Sequence, residues 1–542
     1  MGDPAENQLG RRAFLAGVVA AATAVATAAA CSGDDDDSAD GSKGKKASSQ
    51  RDLPPVPDGL PAEVFTLGIA SGDPLDDSVI LWTRLAADGT KPDGGLGTAD
   101  PVPVHWEVAA DEGFDKVVAE GDIVAEASLT HSVHVDADGL DPDTRYWYRF
   151  TVDDRTSPVG QARTTPRPDD DGADSLRFAF ASCQNRQDGY WTAYGDLAEQ
   201  DDLDLVFFLG DYIYEEGPDP RAAQPYRTAA PTDLATYRAR WAEHKADPLL
   251  QAAHAACPWV ATWDDHEVAN NYAADIAEGA APDDNAGKQA FRDRRAAAYQ
   301  AFYEHTPIRL DPPDGPDAKI YRTLDWGTLA RFYVLDGRQY RSDQACGSTT
   351  VIAGVGPMCD AAQAEDRTML GEQQEQWLGE QLDESEATWN VLAQQTVVSA
   401  VPFAQGLVNF DQWDGYPAAR QRLVEQLDDV SNPVILTGDI HLSAVGMLES
   451  EPGSPVAAEL VGTSISSGFP LADAVEGLVK DLANVKYVNA RQRGYVVCEL
   501  TPDELRAEYR LVDDATKPDG TVAAAATFVV AEGDPTPKPL ET

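Results

Sequence analysis

Short apolar runs punctuate this chain from residue 176 onward, and each stops at residues able to hold a metal. LRFAFASCQ ends at Cys183, and LVFFLGDYIYE carries Asp211 and Tyr214. PWVATWDDHEVANNY carries Asp265 and His266, and VILTGDIH carries Asp439 and His441. Runs of four to seven bulky or β-branched residues predict strands buried on both faces. In open α/β sheets the ligand crevice lies just past such strand ends. If the four strands are neighbours, a thiol, carboxylates, a phenol and imidazoles converge on one metal site.

Between these runs the apolar period changes to that of a helix. PTDLATYRARWAEHKA offers Thr232 as N-cap and Leu234, Tyr237 and Trp241 as a stripe. GEQQEQWLGEQL and AARQRLVEQLDD are two further amphipathic helices. The alternation predicts a layered α/β domain over 175–515, followed by a last strand and tail over 516–542. Ahead of it, 62–165 reads as short strands with turn signals at the spacing of an all-β sandwich. DGLDPDTRYWYRF there resembles the E–F corner of a fibronectin-type module.

The first residues predict targeting rather than fold. Arg11 and Arg12 precede the Ala/Val-rich run VVAAATAVATAAA, the pattern of a twin-arginine export signal over 1–31. Cys31, followed by SGDDDDSADGSKGKK, resembles a lipoprotein processing site, with simple cleavage near Ala30 as the alternative. Residues 32–61 read as disordered linker. The expected location is the cell surface, lipid-anchored, or the secreted medium. Cys346 and Cys359 bracket a Gly-rich loop and are the disulfide candidates, while Cys257 and Cys498 read as buried thiols, leaving Cys183 for chemistry.

The formal charge is −50, from 92 Asp and Glu against 42 Lys and Arg. A surface of that sign repels nucleic acid and anionic lipid, so no nucleic-acid-binding face is expected. The charge names no substrate and no oligomeric state.

Each metal-ligand motif is weak alone, because a Gly-Asp after a strand is commonly a turn and a strand-end cysteine is commonly a small core residue. Their joint order is specific. FASCQ, GDYIYE, TWDDHEVANNY, LDGRQYRSD and GDIHLS together resemble the PhoD-type alkaline phosphatases and phosphodiesterases. These are relatives of the purple acid phosphatases within the calcineurin-like metallophosphoesterases. The resemblance spans about 62–515. It implies an N-terminal β-sandwich and a four-layer α/β/β/α catalytic domain holding iron(III) with one or two calcium ions.

Carried onto this chain, the resemblance makes Cys183, Asp211, Tyr214 and His441 the iron ligands. Asp211 would bridge to a calcium side completed by Asp265, Asn271 and Asp439. Donor chemistry agrees, since phenolate and thiolate suit a trivalent transition metal and carboxylate or amide oxygens a hard divalent ion. Asp439 and His441 are expected to alternate on an extended strand end, with Ile440 facing the core. His266 falls where the superfamily keeps an imidazole beside the phosphate, as general acid or transition-state stabiliser. Its alternative role is to orient Asp265. Arg338 either clamps a phosphoryl oxygen bidentately or pairs with Asp336, and Arg227 and Arg341 share that ambiguity. Trp191, Tyr194, Trp413 and Tyr416 either shape the pocket or stack in cores, and His254 reads as a core residue.

The sequence carries no Gly-x-Ser-x-Gly nucleophile motif and no Walker loop. The expected attacking group is therefore hydroxide held between two cations about 3.5–4 Å apart. The function that follows is hydrolysis of phosphate mono- or diesters in phosphate scavenging. The alternatives are a phospholipase D-like or teichoic-acid phosphodiesterase, a non-catalytic surface-binding lipoprotein and an iron redox protein.

Overall fold

In the computed structural model, which describes residues 53–200, 202–281, 283–346, 354–401 and 407–540, the apolar runs are strands covered on both sides. Along Leu176–Ala181, Leu176, Phe178 and Phe180 enter one core while Ala179 and Ala181 enter another. Leu205–Phe208 divides the same way, Leu205 and Phe207 against Val206 and Phe208. Successive side chains point to opposite faces, so a strand with a core on each side has no polar alternation.

Two sheets stack face to face. The larger has ten strands, and at its centre Leu176–Ala181, Leu205–Phe208 and Trp259–Ala261 run parallel as neighbours. The second has seven strands, with Ala330–Val334, Trp389–Ala393, Pro433–Thr437 and Ser454–Val461 parallel in its middle. Phe178, Phe180 and Phe207 of one sheet meet Phe332, Val391 and Leu436 of the other in the shared core. Helices Leu234–Lys245, Pro248–Ala256 and Asn285–His305 cover the outer face of the first sheet. Glu372–Asp383 and Pro417–Leu427 cover the outer face of the second, completing four α/β/β/α layers.

The expectation that all four ligand-bearing strands are neighbours needs correcting. The run ending at Asp439, Pro433–Thr437, lies in the second sheet. The crevice is therefore the junction where the carboxyl ends of two stacked sheets meet. An isolated parallel bridge between Ser182 and Ser464 marks the seam.

The N-terminal sandwich is present but shares a sheet with the catalytic layers. Val102, Val104, Val108, Tyr148 and Phe150 of a five-stranded sheet pack against Ile69, Val79, Leu81, Val133 and Val135. The latter strands are the end of the ten-stranded sheet, joined to it where Gly72 pairs with Trp259. The corner signature holds in detail: the Asp141 backbone N–H donates to Tyr146 Oη at 2.9 Å.

Smaller expectations also shift. The signal, and the linker through residue 52, lie outside the described residues. Of the rest of the linker, Leu60 is buried in the sandwich core, and Arg155 donates to the carbonyls of Leu60 and Pro61. The C-terminal stretch supplies two strands, Val522–Ala531 and Asp534–Pro539, at the edge of the large sheet. The first of the helices is capped by Asp233, not Thr232, through reciprocal bonds with Thr236. Trp191, Tyr194, Trp413 and Tyr416 are core residues. Cys346 and Cys359 are disulfide-bonded, and Cys183, Cys257 and Cys498 are buried thiols. Among the described residues no helix is long and apolar enough to cross a membrane.

Candidate metal centre

Strand exits create this site because the chain must turn sharply there. Cys183, Asp211, Asn271, Asp439 and His441 all have φ between 52° and 61°. That left-handed conformation costs a non-glycine residue about 1–2 kcal/mol and recurs at functional sites. Asp439 and His441 are thus not alternating residues of an extended strand. The strand stops at Thr437, and Ile440 is half-exposed rather than in the core. Two glycines let the loops touch. A Cβ on Gly210 would meet Asp264 backbone nitrogen at 2.5 Å, and one on Gly438 would collide with the Ser182 hydroxyl.

One ligand atom each from Cys183, Asp211 and His441 lies within 4.8 Å of the others. Tyr214 Oη joins them, 3.0 Å from Asp211 Oδ2 and 3.3 Å from His441 Nε2. His441 Nδ1 donates to the Gly468 carbonyl at 2.9 Å, which leaves the Nε2 lone pair facing the group. Ser467 Oγ lies 2.8 Å from both Tyr214 Oη and the Cys183 carbonyl. The four residues assigned to iron are together.

Asp211 also belongs to a second group, with carboxylate oxygens of Asp264, Asp265 and Asp439 within 4.8 Å of one another. Asp265 Oδ1 is buried with no hydrogen-bond partner, while Oδ2 accepts from the Asn271 N–H at 2.6 Å. Gln412 Nε2 donates to Asp439 Oδ2. Asn271 reaches the group through its backbone, and its side-chain amide nitrogen donates to Glu278 at 2.8 Å.

Arg338 corrects the sequence reading. Its guanidinium grips a carboxylate bidentately, but the partner is Asp411, at 2.7 and 2.8 Å, and Nε is taken by Asp264. Asp336 accepts only the Arg338 backbone N–H among its bonds to that residue. Fully buried, with every edge facing a carboxylate, Arg338 offers nothing to a phosphoryl oxygen as it stands. Arg341 is likewise buried and bonded to Asp411. Arg227 meets Glu243 through its backbone N–H.

His266 has a ring nitrogen within 4.8 Å of the Asp211 and Asp265 carboxylates. Its Nδ1 pairs with Glu215 Oε2 at 2.7 Å and its ring packs on Tyr214 at 4.1 Å between centroids. No side-chain bond ties it to Asp265, whose orientation comes from Asn271. His254 is a core residue, bonded to Tyr212 Oη and Lys245 Nζ.

The electrostatics call for a cation. Burial, then the neighbouring Asp211 charge, drives the Cys183 thiol and the Tyr214 phenol upward. Burial lifts Asp211 despite His266, and burial with Asp411 lifts Asp439 to about 6. Asp265 lies low because Arg338 and His266 outweigh its burial. Burial holds His441 down at about 4, so it is a neutral imidazole at neutral pH. His266 is raised because Glu215, Asp265 and Asp211 overcome its burial. Carboxylates whose ionisation burial opposes, plus one orphaned carboxylate oxygen, fit a metal: a bound cation would make the charged forms favourable. The donor set divides as thiol, phenol and imidazole against carboxylates alone.

The structure adds residues that the sequence did not single out. Glu267 accepts backbone N–H bonds from Asp211, Tyr212 and Asp264, clamping two ligand loops together. Glu215 and Asp264 lie inside quoted motifs, so adjacency to Tyr214 and Asp265 was their available signal. Asp411, Gln412 and Ser467 had none, because their partners are far away in the chain.

The chain is similar to known proteins along most of its length. The PhoD-like phosphatase family matches residues 178–509, and its N-terminal domain family matches 53–166. Alkaline phosphatase D of Bacillus subtilis (strain 168) is 46% identical over 485 residues, 86% of this chain and 80% of that protein. A solved structure of PhoD superposes with a TM-score of 0.83 at 44% identity, covering 88% of this chain and 92% of the other. A purple acid phosphatase from yellow lupin seeds shares the fold at TM-score 0.50 and 12% identity, over 85% and 74%.

Proposed function

The chain belongs to the PhoD-like phosphatase family and is a phosphoric ester hydrolase of the alkaline phosphatase D type, and from that premise we propose that it hydrolyses phosphate mono- and diesters outside the cell, in phosphate scavenging. The observation that carries the reading is the double membership of Asp211. It belongs both to the thiol–imidazole group beside Tyr214 and to the all-carboxylate group. One carboxylate shared between two donor sets is what a two-cation centre requires.

In this reading Cys183, Tyr214, His441 and Asp211 would hold iron(III). Asp211, Asp265 and Asp439 would hold calcium, with Asn271 orienting Asp265 through its backbone N–H. When bound, the cations would supply an acidified water as nucleophile and would neutralise charge developing on the phosphoryl oxygens. His266, kept protonated by Glu215, stands beside both sets to donate a proton to the departing alkoxide. Glu267 and Gln412 hold the ligand loops, and Arg338 balances the buried carboxylates without touching substrate. The twin-arginine pattern and Cys31 support export and a lipid anchor, and the Cys346–Cys359 disulfide suits an oxidising compartment.

Elemental analysis paired with an ester panel tests this. The expected result is coloured protein containing iron and calcium, active on a chromogenic phosphomonoester or its bis-ester and inactivated by prolonged chelation. Full activity in a colourless, metal-free preparation overturns it, and the ratio of kcat/KM between the two esters sets the substrate preference.

A further inference from the structure

The Cys346–Cys359 disulfide lies outside the ligand set, yet the chain on either side of it leads into that set. Both cysteines pack against the buried cluster of Phe410, Ala345 and Ala362, as do Met358 and Val408. Phe410 follows the strand Leu407–Asn409, which pairs antiparallel with Val355–Pro357 inside the disulfide-closed loop. Its backbone N–H donates to the Gly354 carbonyl at 2.7 Å. The next two residues enter the metal centre: Asp411 holds Arg338 and Arg341, and Gln412 holds Asp439. Toward the other sulfur, Gln344 precedes Cys346 by two residues. Its Nε2 lies 2.9 Å from Asp411 Oδ1 and 2.8 Å from the Asn271 carbonyl.

Resting on the two-cation reading, we infer that this disulfide positions the divalent half of the centre by fixing Asp411, which keeps Arg338 off the ligand carboxylates. Arg338 Nη2 is already 3.6 Å from Asp265 Oδ1 and 3.9 Å from Asp439 Oδ1. The bidentate grip of Asp411 on Nη1 and Nη2, beside Asp264 on Nε, is what sets that distance. If Phe410 loses its seat against the disulfide, Asp411 loosens. The guanidinium then pairs with Asp265 and Asp439, where it competes with a divalent cation for the same oxygens. The thiol–phenol–imidazole side makes none of these contacts, so its metal is unaffected.

The test is calorimetric titration of calcium into iron-loaded, calcium-depleted protein. Cys346→Ala/Cys359→Ala should bind calcium about tenfold more weakly, the loss typical when a ligand's supporting contacts go, with iron content unchanged. Phe410→Ala, with the disulfide intact, should show the same loss, and the combined variant no more than either alone. Unchanged calcium affinity in a folded variant, losses that multiply, or equal loss of iron overturns the inference. If the double cysteine variant does not fold, Phe410→Ala decides alone. Wild-type protein that binds calcium and hydrolyses esters while the variants match it refutes this inference and leaves the proposed function standing. Wild-type protein that does neither sinks both.

Discussion

Glu215 and His266 form an ion pair, Oε2 to Nδ1 at 2.7 Å, although 51 positions separate them. The Glu215 Oε1 also accepts the Asn270 N–H at 2.6 Å, so the carboxylate fixes the loop as well as the ring. With Nδ1 engaged, Nε2 is the nitrogen left to reach a substrate oxygen.

Glu215→Gln and His266→Ala should therefore keep their metals while lowering kcat by about two orders of magnitude, the usual contribution of a positioned acid. Rate measurement with elemental analysis checks this. If His266→Ala empties the site, the imidazole orients ligands and does not deliver a proton.

Tyr214→Phe removes the oxygen that lies 3.0 Å from Asp211 Oδ2 and 3.3 Å from His441 Nε2. Iron content should fall and the visible colour with it, while calcium content changes less. Retention of iron and colour would exclude the phenol as a ligand.

Arg338→Leu leaves buried Asp264 without its cationic partner and buried Asp411 with Arg341 as its remaining one. Removing one partner from a buried charge network typically costs about 3–5 kcal/mol. The variant should therefore unfold at markedly lower denaturant concentration even with metals removed. A phosphoryl clamp would instead show normal stability and a raised KM.

His134 links the sandwich to the helix Asn285–His305, stacked on Tyr303 at 4.3 Å with Nε2 2.8 Å from the Thr306 carbonyl. Burial lowers its pKa from 6.5 to about 4, against opposing bonds to Thr306 and Tyr303. The unfolded chain thus takes up the proton first. The stability this neutral ring contributes is complete above pH 6.5 and is lost as pH falls toward 4. His134→Gln should flatten the fall of Tm across that window, and an unaltered slope would show that the ring titrates freely in the folded protein.

Local pattern carried much of this protein. Phe178, Phe180, Leu205 and Phe207 lie in unbroken apolar runs, so strands buried on both faces could be read directly. Cys183, Asp211 and Asp439 follow such runs, so the convergence of strand-exit residues on one crevice was legible too. Arg338 was misjudged because Asp336 is two residues away whereas Asp411 is 73. The left-handed turns at Asp439 and His441 were missed because neither residue is a glycine.

By itself, the sequence determined a layered α/β domain behind a β-sandwich and the chemical types of the candidate ligands, because side-chain period and short motifs are properties of consecutive residues. The four-layer arrangement came only as what the family resemblance implied. Tertiary structure alone decided that one ligand strand sits in the second sheet, that the sandwich extends the first, and which carboxylate holds each arginine. Stacking two sheets brings together loops with no sequence proximity, and burial then forces each stranded charge to find whichever partner the packing places within reach.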